Sequence, residues 1–429
     1  MQNKNMNQNG NRGRNMGGPY QTNGNSGMNS NGPYQNGSYQ NGPYQNGPYQ
    51  NGPYQNGPYQ NGPYQNQGNY SYSSNNGYPG GPRMPKKNKR GKRKAIIFAL
   101  EIIALLVLAV GLFAWSKIQR LNRDPIEEGS IIINKNISSV ESEVLTGYTN
   151  IALFGVDARD GTLKAGAHSD VIMIASINNA TKDVKLVSVY RDTYLDNTNE
   201  EYRKATEAYF YGGPERAINM LNKNLDLNIE DYVTVDFNAI ATTVDALGGV
   251  DIELDDEEVE HLNNYLVETS QVLGIDSYDN IPYPGMHHLD GLHALSYCRI
   301  RYTQGDDFKR TERQRAVLQQ LFEKAKTMDL MTLNNLADEL LDMCVTSMTL
   351  NEILSLVQDI ASYNIVNTTG FPFNSQGQTL PDAGDCVVPK TLRENVLQLH
   401  RYLFGTDGYE PSPTVESVNN EIIYRTGIQ

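Results

Sequence analysis

Apolar residues along the chain recur in short β-branched runs, separated by polar turns and by segments with helical spacing. Three such runs lie close together, each bounded by charged residues: Ile151–Val156, Val171–Ile177 and Lys185–Tyr190. Each has the length and composition of a buried strand. Charged side chains at buried strand ends cost free energy unless they meet a ligand, a metal or each other. The pattern therefore fits a shared polar site as well as three ordinary strands with solvated turns.

Strand and helix patterns alternate through the rest of this region, which is typical of a layered α/β domain. The spacing predicts helices over Glu215–Asn224, Asn238–Leu247, Leu289–Ala294, Arg313–Lys326 and most of 330–363. It predicts strands over Tyr232–Phe237, Val250–Leu254 and Ser296–Tyr302, and a final strand and helix within Asp385–Tyr402. The segment after Gly405 is polar with prolines, and we expect a loosely ordered extension there.

The longest apolar run, Ala95–Trp115, is interrupted only by Glu101. At a helical rise of ~1.5 Å per residue it spans about 31 Å, which matches the core of a bilayer. Of the twelve residues directly before it, 83–94, eight are basic. This arrangement predicts a single membrane helix with the N-terminus in the cytoplasm and the body outside. A nuclear signal or nucleic-acid patch is the alternative interpretation of the basic block.

Residues 1–94 have the composition of a disordered tail. Seven consecutive pentads occupy 31–65, six reading NGPYQ and one NGSYQ, and almost no aliphatic residue is available for burial. The repeat fits a solvated spacer, while its evenly spaced tyrosines also fit adhesive or phosphorylation sites.

The charge is unevenly distributed along the chain. Residues 1–94 contain eleven Lys and Arg and no acid, so the remainder has 25 basic against 49 acidic residues. Such a body does not bind nucleic acid through general electrostatics, and any anion must be held by a local arginine cluster. Cys298, Cys344 and Cys386 are too few for a disulfide framework or a zinc site; one bridge between Cys344 and Cys386, or three unpaired thiols, remain the choices.

A candidate arginine cluster lies in YCRIRYTQGDDFKRTERQ, residues 297–314. Arg299 and Arg301 are two residues apart and would share one face of the predicted strand. Arg310, Arg313 and Gln314 have the spacing of one helix face. Four neighbouring guanidinium groups favour an anion between them, and Arg binds phosphate oxygens bidentately. The alternative is that these arginines pair at the surface with nearby acids: Asp306, Asp307 and Glu312.

Residues 148–405 resemble the LytR-CpsA-Psr family of membrane-anchored enzymes of bacterial envelopes. The resemblance rests on motifs in order: NIALFGVDARD, SDVIMIASI, SVYRD, the stretch from Lys204 to Pro214 ending in YGGP, VDALGGVDI, YPGMHHLDGLHALSYCRIR and DDFKRTERQ. It implies a three-layer α/β/α domain with a mixed central sheet, preceded by a stalk at 116–147 and followed by an extension at 406–429. No nucleotide loop of the form GxxxxGK[ST] is present.

The family motifs also imply roles for individual residues. Asp157 and Asp170 correspond to a pair that holds Mg²⁺ against a pyrophosphate, and Arg191, Asp157 and Asp192 to the catalytic group. Lys204 falls where relatives carry a basic residue near the acceptor, although the usual Asn-Ala-Ala after it is replaced by Ala205-Thr206-Glu207-Ala208. His168 stands where many relatives have Arg. The phosphate-binding set implied by the resemblance is Arg159, Arg191, Lys204, Arg299, Arg301, Arg310, Arg313 and Gln314.

The implied activity is transfer of a glycopolymer, of the teichoic acid or capsule type, from a polyprenyl pyrophosphate carrier to peptidoglycan. The expected partners are the lipid-linked polymer, the peptidoglycan acceptor and the membrane, with no nucleic acid. Ala217–Leu225 and Ala239–Leu247 could line a groove for the lipid chain or belong to an ordinary core. Two other functions use the same features: a hydrolase that cleaves the carrier pyrophosphate, and an envelope sensor or lipid-binding scaffold without turnover.

Overall fold

The computed structural model describes residues 102–105, 107–108, 112, 116–135, 137, 139–158, 163–301, 303 and 305–429. The repeat tail and basic block predicted over 1–94 lie outside these residues, as does most of the predicted membrane segment 95–115. Within the described residues, no helix is both long enough and apolar enough to span a bilayer. From residue 116 onward the chain is described almost continuously.

A six-stranded mixed sheet forms the centre of the domain. The strands of the described chain are β1 Tyr148–Val156, β2 Ser169–Asn178, β3 Asp183–Val189, β4 Tyr194–Asp196, β5 Tyr202–Lys204, β6 Asp231–Val235, β7 Val250–Leu254, β8 Gly285–Leu289, β9 Cys344–Thr346, β10 Asn364–Phe371, β11 Ser375–Leu380 and β12 Gly384–Pro389. The central sheet runs in the order β10-β3-β2-β1-β6-β9, with β1 antiparallel to β2 and parallel to β6. Three two-stranded ribbons, β4-β5, β7-β8 and β11-β12, lie outside it.

The helices begin where polar side chains satisfy free backbone amides. Asp236, Asp255 and Asp290 each accept a hydrogen bond from an amide in the first turn of the helix that follows. The helices are α1 Ser139–Thr146, α2 Ala205–Leu225, α3 Phe237–Ala246, α4 Asp256–Leu273, α5 Gly291–Arg299, α6 Asp306–Lys326, α7 Leu330–Leu340, α8 Leu350–Gln358, α9 Leu392–Phe404 and α10 Pro413–Thr426.

Helices cover both faces of the central sheet, because successive side chains of its strands point to opposite sides. On one face, Ala152 and Phe154 of β1 belong to a core built with α2, α9 and α10. On the other face, Ile151 of β1 and Leu186 of β3 pack with residues of α6 and α8. The three-layer α/β/α arrangement with a mixed sheet predicted from the family resemblance is confirmed.

A second hydrophobic core lies beside the sheet. It is built from α3, α4, α5, α6 and the β7-β8 ribbon, with Val244, Leu266, Leu292 and Val317 among its buried residues. This helical lobe brings the arginine-rich stretch after α5 against the ends of the central strands. The site described below forms at that junction.

Most predicted elements agree with the structure, two do not, and several observed elements were not predicted. The three strands around Ile151–Tyr190 are β1, β2 and β3. The strand predicted over Ser296–Tyr302 is wrong, because α5 continues to Arg299. The helix predicted over most of 330–363 is interrupted by β9, and β10 and β11 were missed. All three cysteines are free, so the bridge between Cys344 and Cys386 does not form.

The expectation of a loosely ordered extension after Gly405 is also wrong. Helix α10 packs Val415, Val418 and Ile422 into the main core. The position of α10 against the domain is fixed by Asp226, which is fully buried at the end of α2. The Asp226 carboxylate accepts hydrogen bonds from Ser412 N at 2.7 Å, Tyr409 Oη at 2.6 Å and Asn134 Nδ2 at 2.6 Å. Ser412 Oγ donates a fourth hydrogen bond to this carboxylate, at 2.6 Å, and the four together offset the penalty of burying it.

Candidate functional site

A cavity of about 750 Å³ opens between the strand ends of the sheet and the helical lobe. Its lining divides into an apolar part and a polar part. The main apolar residues are Leu153, Met173, Val233, Ile240, Leu295, Val317, Leu318 and Leu321. The charged residues are Asp157, Asp170, Arg191, Glu268, Arg299, Arg301 and Arg310. Such a site suits a ligand with a long apolar portion and a compact anionic group.

The apolar wall follows from the residue spacing of two kinds of element. Leu153 of β1, Met173 of β2 and Val233 of β6 lie on neighbouring strands. Val317, Leu318 and Leu321 share one face of α6 by their helical spacing. Of the two segments proposed to line a lipid groove, Ala239–Leu247 contributes Ile240, whereas the described residues of Ala217–Leu225 belong to the main core.

Asp170, at the start of β2, organises the arginines of the polar part. Its carboxylate forms ion pairs with Arg191 Nη1 and, at 3.5 Å, with Arg301 Nη2. Its backbone carbonyl accepts a hydrogen bond of 3.4 Å from Arg310 Nη2. One aspartate therefore holds three guanidinium groups, from the segment after β3, the segment after α5, and α6. They are brought together from positions up to 140 residues apart in sequence.

Arg310 is the most deeply buried of these arginines, at 2% exposure. It pairs with Asp307, one turn earlier on α6. Burial lowers the pKa of Arg310 and raises the pKa of the Asp307 carboxyl, as expected where charged forms lose water. The alternative prediction of a pair between Arg310 and Asp307 is correct, but its predicted location at the surface is wrong, because the pair is buried inside the site.

Arg191 lies at the meeting point of the cavity and the β4-β5 ribbon. Burial acts against its charge, but Asp170 and Asp192 outweigh burial and raise the pKa of Arg191 above its ordinary value. Asp192 Oδ1 lies 3.6 Å from Arg191 Nε and 3.1 Å from Lys204 Nζ. Asp192 and Lys204 do not line the cavity; they support Arg191 from behind.

Arg299 ends α5 and lines the cavity. Its Nη2 lies 3.1 Å from Glu268 Oε2, and its Nη1 donates to Thr269 Oγ1 at 2.9 Å. The guanidinium also lies over the rings of Phe237 and Tyr265, at 5.1 Å and 5.6 Å from their centroids. Because α5 is helical to this point, Arg299 and Arg301 do not share a strand face as the spacing suggested, yet both reach the cavity.

Arg313 does not reach the cavity. Its side chain is buried against Glu258 Oε1 at 2.9 Å and donates to Thr303 Oγ1 at 2.9 Å and to the Ile300 carbonyl at 3.3 Å. These contacts are all internal, so Arg313 has the placement of a structural arginine. Gln314 does line the cavity, donates through Nε2 to the Cys298 carbonyl at 3.3 Å, and has no partner at Oε1 among the described residues.

Asp157 and His168 complete the polar rim. Asp157 follows β1 and lines both this cavity and an adjoining pocket of about 310 Å³. Arg159, predicted as a phosphate ligand, lies outside the described residues. His168 lines the cavity and stacks on Phe210 with ring centroids 4.5 Å apart. His168, for which the resemblance implies Arg in many relatives, is thus one of the residues that line the cavity.

The acidic lining bears on whether Mg²⁺ fits here. Among the described residues, no group of three or more His, Cys, Asp or Glu side chains could hold a metal ion. Besides Glu268, which pairs with Arg299, two carboxylates border the cavity: Asp157 and Asp170. Mg²⁺ commonly takes one or two carboxylates and completes its shell with water and substrate phosphate oxygens. The donor set therefore fits a Mg²⁺ that arrives with a phosphorylated ligand.

Sequence reasoning missed two acids that hold the arginines. Glu258 and Glu268 on α4 pair with Arg313 and Arg299. Glu268 lies 31 residues from its partner and Glu258 lies 55, and the sequence around each of them does not indicate that it pairs with an arginine. Only the packing of α4 against α5 and α6 brings these charges together. Asp307 had a local signal, because it stands three residues before Arg310 on the same helix.

Comparison with known proteins gives consistent results. A model of the LytR_cpsA_psr family matches residues 120–396, which is more than half of the chain. The teichoic acid transferase TagT of Bacillus subtilis is 25% identical over 305 residues, 68% of this chain and 90% of the relative. TagU of Bacillus cereus is 29% identical over 246 residues, 56% of this chain and 74% of the relative. The solved structure of TagT bound to LI-WTA has a TM-score of 0.50 at 20% identity, covering 66% of this chain and 100% of that chain; it shows the fold alone.

Proposed function

Because the chain belongs to the LytR-CpsA-Psr family, we propose that it transfers a glycopolymer from a polyprenyl pyrophosphate carrier to peptidoglycan, forming a phosphodiester. The observation that carries the proposal is the division of one cavity into an apolar wall and an arginine-lined rim. A polyprenyl pyrophosphate has the same division, with a hydrocarbon chain joined to a compact anion. The names of the relatives TagT and TagU, both teichoic acid transferases, support the polymer class.

The apolar wall binds the carrier lipid in this proposal. Each methylene transferred from water to such a surface contributes about 0.8 kcal/mol. Several isoprene units along α6 and the strand face therefore suffice for tight retention. Binding energy taken from the lipid, far from the reacting phosphorus, holds the pyrophosphate among the arginines.

The rim binds the pyrophosphate. Four arginines face three carboxylates among the described lining residues, a net of one positive charge. A pyrophosphate diester carries about two negative charges at neutral pH, so it exceeds the positive charge of the lining by about one, and a divalent cation would offset that excess. Asp157 and Asp170 would hold that Mg²⁺, which supplies charge neutralisation at the phosphate oxygens when bound. Arg191, Arg301 and Arg310 are already oriented by Asp170, so they stabilise developing charge without rearranging.

In the reaction, a peptidoglycan hydroxyl attacks the phosphorus that carries the polymer. The new oxygen–phosphorus bond forms as the bond to the bridging oxygen breaks, and polyprenyl phosphate leaves with the electron pair. The hydroxyl proton passes to a carboxylate at the rim, for which Asp157 is placed, and from there to water. Arg191 binds the oxygens on which charge accumulates, as arginines do in other phosphoryl transfers.

The same proposal places the body outside the membrane and the N-terminus in the cytoplasm. The carrier lipid and the peptidoglycan acceptor meet at the outer face of the cytoplasmic membrane. The basic residues before the apolar run 95–115 support that orientation.

The test is transfer by the purified full-length chain from a lipid-linked teichoic acid precursor to soluble peptidoglycan strands. We expect Mg²⁺-dependent release of polyprenyl phosphate together with polymer covalently joined to the strands. Release of polyprenyl phosphate with free phosphorylated polymer, in the presence of acceptor, would identify a hydrolase. Lipid binding with no turnover would leave the sensor or scaffold function.

A further inference from the structure

A second polar cleft, of about 470 Å³, lies between the tip of the β4-β5 ribbon and helix α10. We call it the outer cleft and define it by Asp196, Glu200, Tyr202, Lys223, Ser417 and Arg425. One wall comes from α10, which lies beyond the residues matched by the family model, 120–396. We propose that the outer cleft binds a neutral, hydroxyl-rich glycan, which, on the proposed function, is the acceptor strand.

The cleft contains a charged group that is buried and incompletely bonded. Asp196 is 1% exposed, and its Oδ2 lies 2.6 Å from Lys223 Nζ. Its other oxygen, Oδ1, has no hydrogen-bond partner among the described residues. A buried carboxylate oxygen without a donor costs free energy, which a ligand hydroxyl reaching the cleft floor recovers. Lys223 has three N–H donors, and Asp196 occupies one of them.

The backbone around Asp196 is held rigidly, as a binding site requires. Asn224 Oδ1 accepts a hydrogen bond of 3.1 Å from the Asp196 amide, and Asn224 Nδ2 donates one of 2.8 Å to the Asp196 carbonyl. On the opposite wall, the Arg425 guanidinium lies over the Tyr202 ring at 4.6 Å from its centroid. Arg425 Nε also lies 2.7 Å from Glu421 Oε1. These fixed partners keep donors and acceptors on both walls in place before a ligand arrives.

The charges of the cleft select the class of ligand. Three carboxylates, from Asp196, Glu200 and Glu421, face two cations, from Lys223 and Arg425. A polyphosphate chain would meet an excess of negative charge, so the donor polymer is disfavoured here. Sugar hydroxyls both donate and accept hydrogen bonds, so they match a lining that alternates acids, bases and the hydroxyls of Thr414 and Ser417. The volume falls within the ~300–1,000 Å³ typical of small-ligand sites.

The outer cleft is also close to the catalytic rim along the chain. Asp192, which supports Arg191, lies four residues before Asp196, so at most about 14 Å of extended chain separates them. Lys204 and Asp192 pair at one end of the ribbon, and Asp196 pairs with Tyr202 in register at the other. A glycan strand held in the cleft would extend the acceptor contacts beyond the reacting sugar.

The test uses full-length protein in detergent, with soluble uncrosslinked peptidoglycan strands as the probe and no lipid donor. Ser417→Trp fills the cleft from an exposed position on α10, and Asn420→Trp is the matched control on the same helix outside the lining. We expect the dissociation constant for strands to rise at least tenfold in Ser417→Trp and to stay unchanged in Asn420→Trp. Asp196→Asn, checked for an unchanged melting temperature, should weaken binding in the same direction.

Equal strand affinity in Ser417→Trp and Asn420→Trp would overturn the proposal. So would tighter binding of poly(glycerol phosphate) than of strands with the same dependence on Ser417. Since the binding assay needs no turnover, absence of transfer in the wild-type protein would refute the proposed function without deciding the cleft. Where transfer occurs, Ser417→Trp should raise KM for long strands, and Asn420→Trp should not.

Discussion

At the scale of single residues, Asp170 determines the geometry of the site more than any one arginine does. It contacts Arg191 and Arg301 through its carboxylate and Arg310 through its backbone carbonyl. Guanidinium groups that repel one another are thereby held within reach of one ligand before it binds. Arrangement of this kind in advance is what makes electrostatic catalysis effective. Changing Asp170 should therefore displace several arginines as well as remove a proposed metal ligand.

Arg191→Lys tests the proposed role of Arg191 at the phosphates. Lys keeps the positive charge but loses the planar, bidentate fork. We expect turnover to fall by about a thousandfold, within the range seen when an arginine is lost from phosphoryl-transfer chemistry. The measurement is Mg²⁺-dependent release of polyprenyl phosphate, with the melting temperature as control. Wild-type turnover in a folded Arg191→Lys protein would contradict the role.

Arg313→Met and Arg301→Met form a pair with opposite expected effects. Arg313 is 4% exposed and paired with Glu258, so its loss leaves a buried carboxylate without a partner and should cost about 3–5 kcal/mol of stability. Arg301 is about one-third exposed at the cavity, so its loss should mainly reduce turnover. Chemical denaturation and turnover assays on both variants separate the two. If Arg313→Met kept normal stability and lost turnover, Arg313 would be a phosphate-binding residue, as the family resemblance implied.

The sequence was sufficient to select most of the charged residues at the cavity, but not to distinguish them from Arg313. Arg310, Arg313 and Gln314 have the same helical spacing, and spacing alone cannot say which side chains turn toward the cavity and which toward α4. That choice depends on Glu258, 55 residues earlier. Local pattern carries no information about such a distant partner.

At the scale of elements, helix α5 shows why the predicted strand at Ser296–Tyr302 failed. Tyr297, Arg299 and Arg301 alternate with Cys298 and Ile300, a period-two pattern that also occurs by chance in a short helix. The helix is specified at its other end, where Asp290 accepts a hydrogen bond from the His293 amide at 2.9 Å. Strand β10 was missed because it is an edge strand whose exposed face is polar.

The start of α5 should make stability depend on pH through His293. Burial opposes its charge, but hydrogen bonds to Asp290 and to the Asp279 carbonyl outweigh burial and raise the pKa of His293 above 6.5. A raised pKa in the folded state means that protonation stabilises the fold. This contribution is complete below the unfolded pKa and is lost as pH rises through the folded value. The free energy of unfolding, measured by denaturant titration across that window, should fall with rising pH in wild type and much less in His293→Gln.

At the scale of the whole molecule, the charge distribution separates the chain into a basic N-terminal part and an acidic body. Residues 1–94 carry eleven basic and no acidic residues, and the rest carries 25 basic and 49 acidic residues. Against that acidic background, the arginine rim is a local exception held by specific carboxylates. An anionic polymer would be repelled by most of the surface and attracted to the rim, which favours oriented binding.

The orientation of the chain across the membrane is a prediction about the whole molecule. With eight basic residues before the apolar run 95–115, the body should lie outside the cytoplasmic membrane. Protease added to intact spheroplasts should digest the body and leave the NGPYQ repeats protected, as detected with antibodies to each part. Digestion of the repeats with a protected body would reverse the orientation and exclude an extracytoplasmic acceptor.

The buried Asp226 junction also has a mechanical consequence. Asn134, which stands between the N-terminal side of the chain and the domain, is bonded to the same carboxylate as Ser412 and Tyr409 of the C-terminal segment. Arg123 makes a second connection, a parallel backbone β-bridge to Thr346 on the edge strand β9. Tension arriving from the N-terminal side is therefore shared between α2, α10 and the sheet edge before it reaches the arginine rim. In a chain anchored through its N-terminal side, as we propose, these contacts would keep the arginine rim aligned when the anchor is pulled.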